Sequence, residues 1–181
     1  IWMRLLTWKD DSFSQGGKEI LLKAVIQAMP TYLMSCFKIP EGLCQEIESL
    51  LARYWWGSVH SKHKIHWRAW RKISIPKSEG GLGFINFVQY NQALLAKQAW
   101  RILANPTSHL SRILQARYYT NSSFLESKEG SCPSLTWRSI CWGKRLLREG
   151  LRRRIGNGQS TMAFKDPWIP RPPSFLPITQ G

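Results

Sequence analysis

The sequence predicts a mainly α-helical fold that ends in one β-hairpin. Apolar residues recur at helical spacing in several segments, and Pro or Gly follows most of these segments. The runs on either side of Gly156-Asn157-Gly158 are short and meet at a hairpin-type turn. With 181 residues, of which 43% are hydrophobic, the chain can bury a core.

The first half contains three predicted helical segments. Residues 18–29 have apolar side chains at helical spacing, and Pro30 ends that helix. Residues 31–37 are a short apolar run that could continue as a kinked helix. Residues 41–56 give the clearest pattern, a single apolar stripe that ends at Gly57, with Glu41 favourably placed in the first turn.

The second half is predicted to contain three more helices. Residues 58–84 have no clean period, and Pro76 with three nearby glycines marks a loop. Helices are then predicted over residues 86–104, 108–119 and 134–149, the last with Ser134 as its N-cap. After the hairpin, a Pro-rich run ends the sequence in extended chain.

Charge is distributed unevenly along the chain. The net charge is +15, with −1 over residues 1–48 and +16 over residues 49–181. Such asymmetry indicates a polyanionic partner, and nucleic acid is the first candidate. A basic surface kept only for solubility is the weaker explanation, because self-repulsion would cost stability with no return.

The stretch SKHKIHWRAWRK, residues 61–72, is basic and aromatic at once, with five Lys or Arg, two Trp and no acid. It could follow a phosphate backbone, or bury its tryptophans and leave its charges in water. We expect both to hold in part, with Trp67 and Trp70 mainly structural and the cations contacting nucleic acid. The candidate cations are Lys62, Lys64, Arg68, Arg71 and Lys72.

A second basic cluster covers residues 138–154, where seven basic residues face one acid. It could be a solvated face or it could grip a duplex backbone, and the sequence leaves both interpretations open. The candidate residues are Lys144, Arg145, Arg148, Arg152, Arg153 and Arg154.

Metal and catalytic chemistry are not predicted. The four cysteines form no CxxC pair. His60, His63 and His66 could supply three imidazoles, but their spacing is not helical and no nearby Cys or carboxylate supports a site. Asp10 and Asp11 form the only Asp pair and lack the further carboxylate that a two-metal site needs. We therefore predict no catalytic residue, no metal site and no cofactor.

Membrane insertion is not predicted either. No apolar run reaches membrane-spanning length. The opening residues are too short and too mixed for a signal peptide. Because the chain opens on Ile, we expect it to be part of something longer.

Eight short motifs follow one another along the chain. SQGGKEILLKAVIQAMPTYLMSCFKIP is followed by RYWWGS, KIHWRAW, PKSEGGLGF, NQALLAKQAWR, TWRSI, GNGQS and KDPWIPRP. Together they resemble the region C-terminal to the polymerase core of plant LINE-type (non-LTR) retrotransposon reverse transcriptases. They are also similar to stand-alone plant mitochondrial open-reading-frame proteins. Arg153 and Phe164 stand where the retrotransposon family usually has Trp, which fits a decaying copy.

The resemblance implies a division into four segments. Residues 1–57 would be a helical thumb-like segment, 58–84 a basic aromatic loop region and 85–150 a helical connector. Residues 151–181 would be the hairpin and a Pro-rich tail leading toward a zinc-binding and ribonuclease H-like region that this sequence does not contain.

The resemblance also implies a function. The YxDD motif of an RNA-directed DNA polymerase is absent, so the chain would be a non-catalytic fragment. It would hold template RNA or an RNA–DNA duplex through phosphate contacts, with a polymerase domain as its partner and no membrane. Location would be nuclear or cytoplasmic for a retroelement protein and mitochondrial for the stand-alone kind. The alternatives are a stand-alone relic without activity, or a scaffold whose Trp-rich surface docks a protein.

Overall fold

The computed structural model describes residues 1, 3, 5, 13–57, 65–159, 161–164, 166–169, 175 and 176. Within these residues it has seven α-helices and no β-strand, so the mainly α prediction is confirmed. The helices are α1 (Gln15–Leu21), α2 (Thr31–Cys36), α3 (Glu41–Trp55), α4 (Trp70–Ile73), α5 (Phe87–Ala104), α6 (His109–Tyr118) and α7 (Leu135–Gly150). A π-helical turn, Leu22–Ile26, continues α1, and a 3-10 turn, Lys77–Glu79, follows α4.

Serine residues cap the N-termini of three of the helices. Ser14, Ser108 and Ser134 precede α1, α6 and α7, and each hydroxyl oxygen accepts a backbone N–H from the third residue beyond it. Such caps satisfy an N–H group that the first helical turn leaves without a partner. The N-cap predicted at Ser134 is confirmed, whereas α1 begins earlier than predicted because Ser14 caps it.

The chain divides into two compact units, Ile1–Leu95 and Ala96–Gly181, and the division falls within α5. The predicted four segments describe roles, and that prediction is not tested by this division. In the first unit, the core is formed by the π-helical turn that continues α1, Met34 of α2, the apolar face of α3, and Phe84 with the start of α5. Its most deeply buried members include Leu22, Ile26, Met34, Leu51, Tyr54 and Phe87.

Asn91 connects α5 to α2 and to the segment that follows α2. This residue is fully buried, and its amide nitrogen donates to Met34 O at 2.6 Å and to Phe37 O at 2.9 Å. Its amide oxygen accepts from Ile39 N at 2.8 Å. One side chain thus supplies the partners of three backbone groups where the chain turns between two helices.

The second unit is built around Trp137, which is fully buried on α7. The ring of Tyr118 stacks on it at 4.7 Å, Tyr119 lies at 5.7 Å, and Phe124 packs edge-on at 6.3 Å. The indole N–H donates to Lys128 O at 3.4 Å. The long loop before α7 is therefore held by aromatic contacts as well as by its own backbone.

The predicted β-hairpin is wrong, since residues 151–159 and 161–164 contain no strand. Met162 and Asp166 bond to each other instead: Met162 N donates to Asp166 Oδ2 at 2.8 Å and Asp166 N donates to Met162 O at 2.9 Å. This turn uses the backbone groups that a hairpin ladder would need. Arg153 N donates instead to Pro167 O at 2.7 Å, and its guanidinium pairs with Asp166 at 3.1 Å.

None of the helices in the described part of the chain is both long enough and apolar enough to cross a membrane.

Candidate nucleic-acid interface

The basic aromatic stretch is described from residue 65 onward, so Lys62 and Lys64 lie outside the described residues. Residues 65–69 are irregular rather than extended in a sheet, and α4 begins at Trp70. The ring of Trp70 stacks on Phe84 at 4.7 Å, and Trp55 meets the same Phe84 edge-on at 5.4 Å. Trp70 is therefore structural, as predicted.

A glycine-containing loop folds back onto α4 and holds it in place. Leu82 N donates to Ile73 O at 2.7 Å, and Gly83 N donates to Ile75 O at 2.9 Å. Gly81 passes so close to the preceding chain that a Cβ there would lie 2.0 Å from Ile75 O. Only glycine fits this approach, which explains the motif PKSEGGLGF and brings Phe84 under Trp70.

Charged side chains tie the same loop to α1. Glu19 Oε1 accepts from Lys23 at 2.8 Å and from Lys77 at 3.0 Å. The hydrogen bond from Lys23, followed by that from Lys77, lowers the pKa of the Glu19 carboxyl below its ordinary value. Lys23 also donates to Leu82 O and lies over the Phe84 ring at 5.2 Å.

The three described cations of the stretch, Arg68, Arg71 and Lys72, are all exposed. None of them forms a salt bridge with a described carboxylate, and residues 65–78 contain no Asp or Glu. Trp67 is 79% exposed, so the expectation that it is a core residue is wrong. The segment thus presents a ring and three cations to solvent on an anchored support.

A cleft of about 410 Å³ lies between this segment and α3. His66, Trp70 and Arg71 line one side, and Glu48 and Arg53 are among the α3 residues that line the other. The imidazole of His66 stacks on Trp56 at 6.0 Å with the rings 22° apart. His66, the residue before Trp67, is therefore anchored on Trp56, just as the start of α4 is anchored by the stack of Trp70 on Phe84.

In the second unit, Lys144 is not at the surface. It is 4% exposed, and its ammonium group donates to Phe124 O at 3.0 Å, Ser127 O at 2.7 Å and Ser127 Oγ at 2.6 Å. It also lies over the rings of Phe124 at 5.1 Å and Trp137 at 5.6 Å. Burial lowers its pKa from the ordinary lysine value. Lys144 is therefore a structural cation with no donor left for a phosphate.

Most of the other predicted cations of this cluster also bond within the second unit. Arg145 pairs with Glu129 at 3.3 Å, and Arg148 donates to Leu125 O. Arg152 lies over the Phe175 ring at 4.0 Å, and Arg153 pairs with Asp166. These four side chains hold loop segments although they are exposed, and Arg154 is exposed as well. Sequence periodicity cannot distinguish arginines that make such contacts from arginines that make none, because each contacted group lies more than ten residues away in the sequence.

The described residues contain no group of three or more His, Cys, Asp or Glu that could hold a metal ion. His60 and His63 lie outside the described residues, as do Asp10 and Asp11. Cys44 and Cys141 are buried free thiols, and burial raises the pKa of both.

The whole chain has clear plant relatives. It is 46% identical to "Uncharacterized mitochondrial protein AtMg00310" of Arabidopsis thaliana over 151 residues, which cover 81% of this chain and 98% of that protein. The chain belongs to the family of this mitochondrial protein. The predicted likeness to stand-alone plant mitochondrial proteins is thereby confirmed.

The second relative is longer. "Putative ribonuclease H protein At1g65750" of Arabidopsis thaliana is 34% identical over 183 aligned positions, covering 98% of this chain and 29% of that protein. The chain thus spans under a third of this relative, so the activity of the longer protein does not pass directly to this chain. No protein-family model and no solved structure matches the chain.

Proposed function

We propose that this chain is a non-catalytic nucleic-acid-binding module that grips RNA or an RNA–DNA duplex by its phosphates. The observation that carries the proposal is the exposed set Arg68, Arg71 and Lys72, which has no described carboxylate partner. Cations that are not neutralised within the protein are the ones that can replace counterions on a phosphate backbone. Affinity comes mainly from phosphates, so base-sequence specificity is small.

The longer relative supports the wider setting of this proposal. Its name assigns it to ribonuclease H, an activity on nucleic acid, and this chain matches one part of it. We propose that the chain corresponds to the region C-terminal to the polymerase core of a LINE-type RNA-directed DNA polymerase. It would position the template for a polymerase domain that lies elsewhere. The name of the shorter relative favours a mitochondrial location over a nuclear or cytoplasmic one.

The docking-scaffold alternative receives less support. It depends on a Trp-rich surface, yet among the tryptophans that the structure describes, Trp67 and Trp100 are the exposed ones. The others pack against neighbouring side chains to different degrees. Each unit thus exposes one of its described tryptophans, and a single exposed ring is not a broad apolar surface of the kind that docks a protein.

The test is the affinity for an RNA–DNA hybrid across a salt series. The variant Arg68→Ala, Arg71→Ala, Lys72→Ala should flatten the plot of log K against log salt by about 0.9 for each phosphate that is no longer neutralised. A control, Lys97→Ala, Arg101→Ala, Lys128→Ala, removes the same charge from exposed positions in the second unit. Its slope should stay near that of the wild type. Equal slopes for both variants would contradict the assigned site, and absence of wild-type binding at low salt would overturn the function.

A further inference from the structure

Trp67 is unusual among the tryptophans of the first unit that the structure describes. Its neighbours in sequence, Trp56 and Trp70, stack on His66 and Phe84 respectively, whereas Trp67 is 79% exposed. The first unit already has a packed core around Tyr54, Trp55 and Phe84, so Trp67 contributes little to it. Leaving so large an apolar ring in water forgoes the free energy that burial would give.

The segment that carries Trp67 is held at both ends. On one side, His66 is fixed by its stack on Trp56, and on the other, Trp70 is fixed on Phe84 at the start of α4. A ring on a segment anchored in this way loses less conformational freedom when it meets a ligand. Trp67 is therefore an exposed ring on a segment whose two ends are held in place, and not a ring on an unsupported loop.

The charges around this ring select the kind of ligand. Arg68 follows Trp67 directly, and Arg71 and Lys72 lie within the next five residues, all exposed. Aromatic rings among cations bind unpaired nucleic acid, because the cations meet the phosphates while the ring stacks on a base. Paired bases inside a duplex have both faces covered by their neighbours and cannot stack on an outside ring.

We infer that Trp67 is a stacking platform for an unpaired base, so that this surface prefers a single strand over a duplex. The inference rests on the proposed nucleic-acid function and narrows its substrate class. In the bound complex, the phosphates that flank the stacked base are bound by Arg68, Arg71 and Lys72. The stacking chemistry is the same for RNA and DNA, because every base has a π-face.

The experiment compares Trp67→Ala with the wild type on oligonucleotides of about 12 residues, a length within the usual range for one binding site. Probes are an unstructured RNA strand, the same strand in DNA, and a blunt RNA–DNA hybrid. Trp67→Ala should weaken single-strand affinity by about tenfold and leave hybrid affinity unchanged. Trp67→Phe should keep most of the single-strand affinity, because a phenyl ring still stacks.

The control is Trp100→Ala, which removes the other exposed tryptophan, 49% exposed on α5, and should change neither affinity. Equal losses for Trp67→Ala on single strands and on the hybrid would overturn the stacking inference while the phosphate-binding function stands. So would an unchanged single-strand affinity. If the wild type binds none of the three probes, the proposed function itself fails. A preference between the RNA and DNA strands identifies which one the surface serves.

Discussion

Replacing Gly81 by Ala tests how the interface is held in place. The added Cβ would lie 2.0 Å from Ile75 O and 2.7 Å from Ile75 C, and both are backbone atoms that cannot rotate away. The loop must therefore open. Three backbone hydrogen bonds are then at risk: Gly81 N to Pro76 O at 3.1 Å, Leu82 N to Ile73 O at 2.7 Å and Gly83 N to Ile75 O at 2.9 Å.

The magnitude follows from those bonds. At about 1 kcal/mol net for each hydrogen bond, Gly81→Ala should destabilise the loop by about 3 kcal/mol. Native-state hydrogen exchange measures this locally. The Leu82 and Gly83 amides should lose about 100-fold in protection, since each factor of ten corresponds to about 1.4 kcal/mol.

The adjacent Gly80 provides the comparison. Its backbone is left-handed, with φ +81°, but nothing lies within 4 Å of a Cβ placed there. Gly80→Ala should therefore cost only the left-handed strain, about 1–2 kcal/mol, with no clash. If Gly81→Ala changes the protection of Leu82 and Gly83 no more than Gly80→Ala does, the close approach to Ile75 is not what shapes this loop.

Three further predictions concern single buried or paired side chains. Asn91→Ala should lower the free energy of unfolding by about 3 kcal/mol in calorimetry, because the three hydrogen bonds of a fully buried side chain are removed. An effect below about 1 kcal/mol would contradict the role of Asn91 in joining α5 to α2 and the segment after it. Lys144→Met should destabilise the second unit by about 2 kcal/mol in urea unfolding, because Phe124 O and Ser127 O lose their donor. The same change should leave the slope of log K against log salt for nucleic-acid binding unchanged. A flattened slope would mean that Lys144 reaches phosphate after all. The pKa of Glu19 is lowered in the folded state, so its stabilisation is present above its unfolded pKa and is lost as pH falls through the folded one. Glu19→Gln should thus cost up to about 1 kcal/mol at about pH 7, and this cost should disappear once the pH has fallen below the folded pKa of the carboxyl. A difference that persists after the carboxyl is protonated would refute the ion-pair origin.

Sequence reasoning located the helices well because their information is local. The apolar stripe of α3 and the serine cap of α7 involve residues within a few positions of each other. The prediction of a hairpin was wrong for a local reason too, since Asp166 forms hydrogen bonds with the backbone N–H and C=O of Met162. A side chain that competes for backbone groups is easy to overlook when the turn residues alone are considered.

The candidate site was predictable only in part. The cations Arg68, Arg71 and Lys72 are exposed, in keeping with the charge pattern. Trp67 and Trp70 look equivalent in the sequence, yet one is exposed and the other stacks on Phe84, fourteen residues later. A buried lysine such as Lys144 gives no sequence signal, because its acceptors are groups of the loop at Phe124 and Ser127.

By itself, the sequence determined the helical class of this protein, the basic character of its C-terminal three quarters and its kinship with plant proteins. Those properties depend on residue type and on spacing over a few turns. Only the tertiary structure decided which charges are neutralised within the protein and which ring is exposed. The reason is that a cation is neutralised, or a tryptophan covered, by groups that are distant in sequence and are brought near only when the loops close onto the helices.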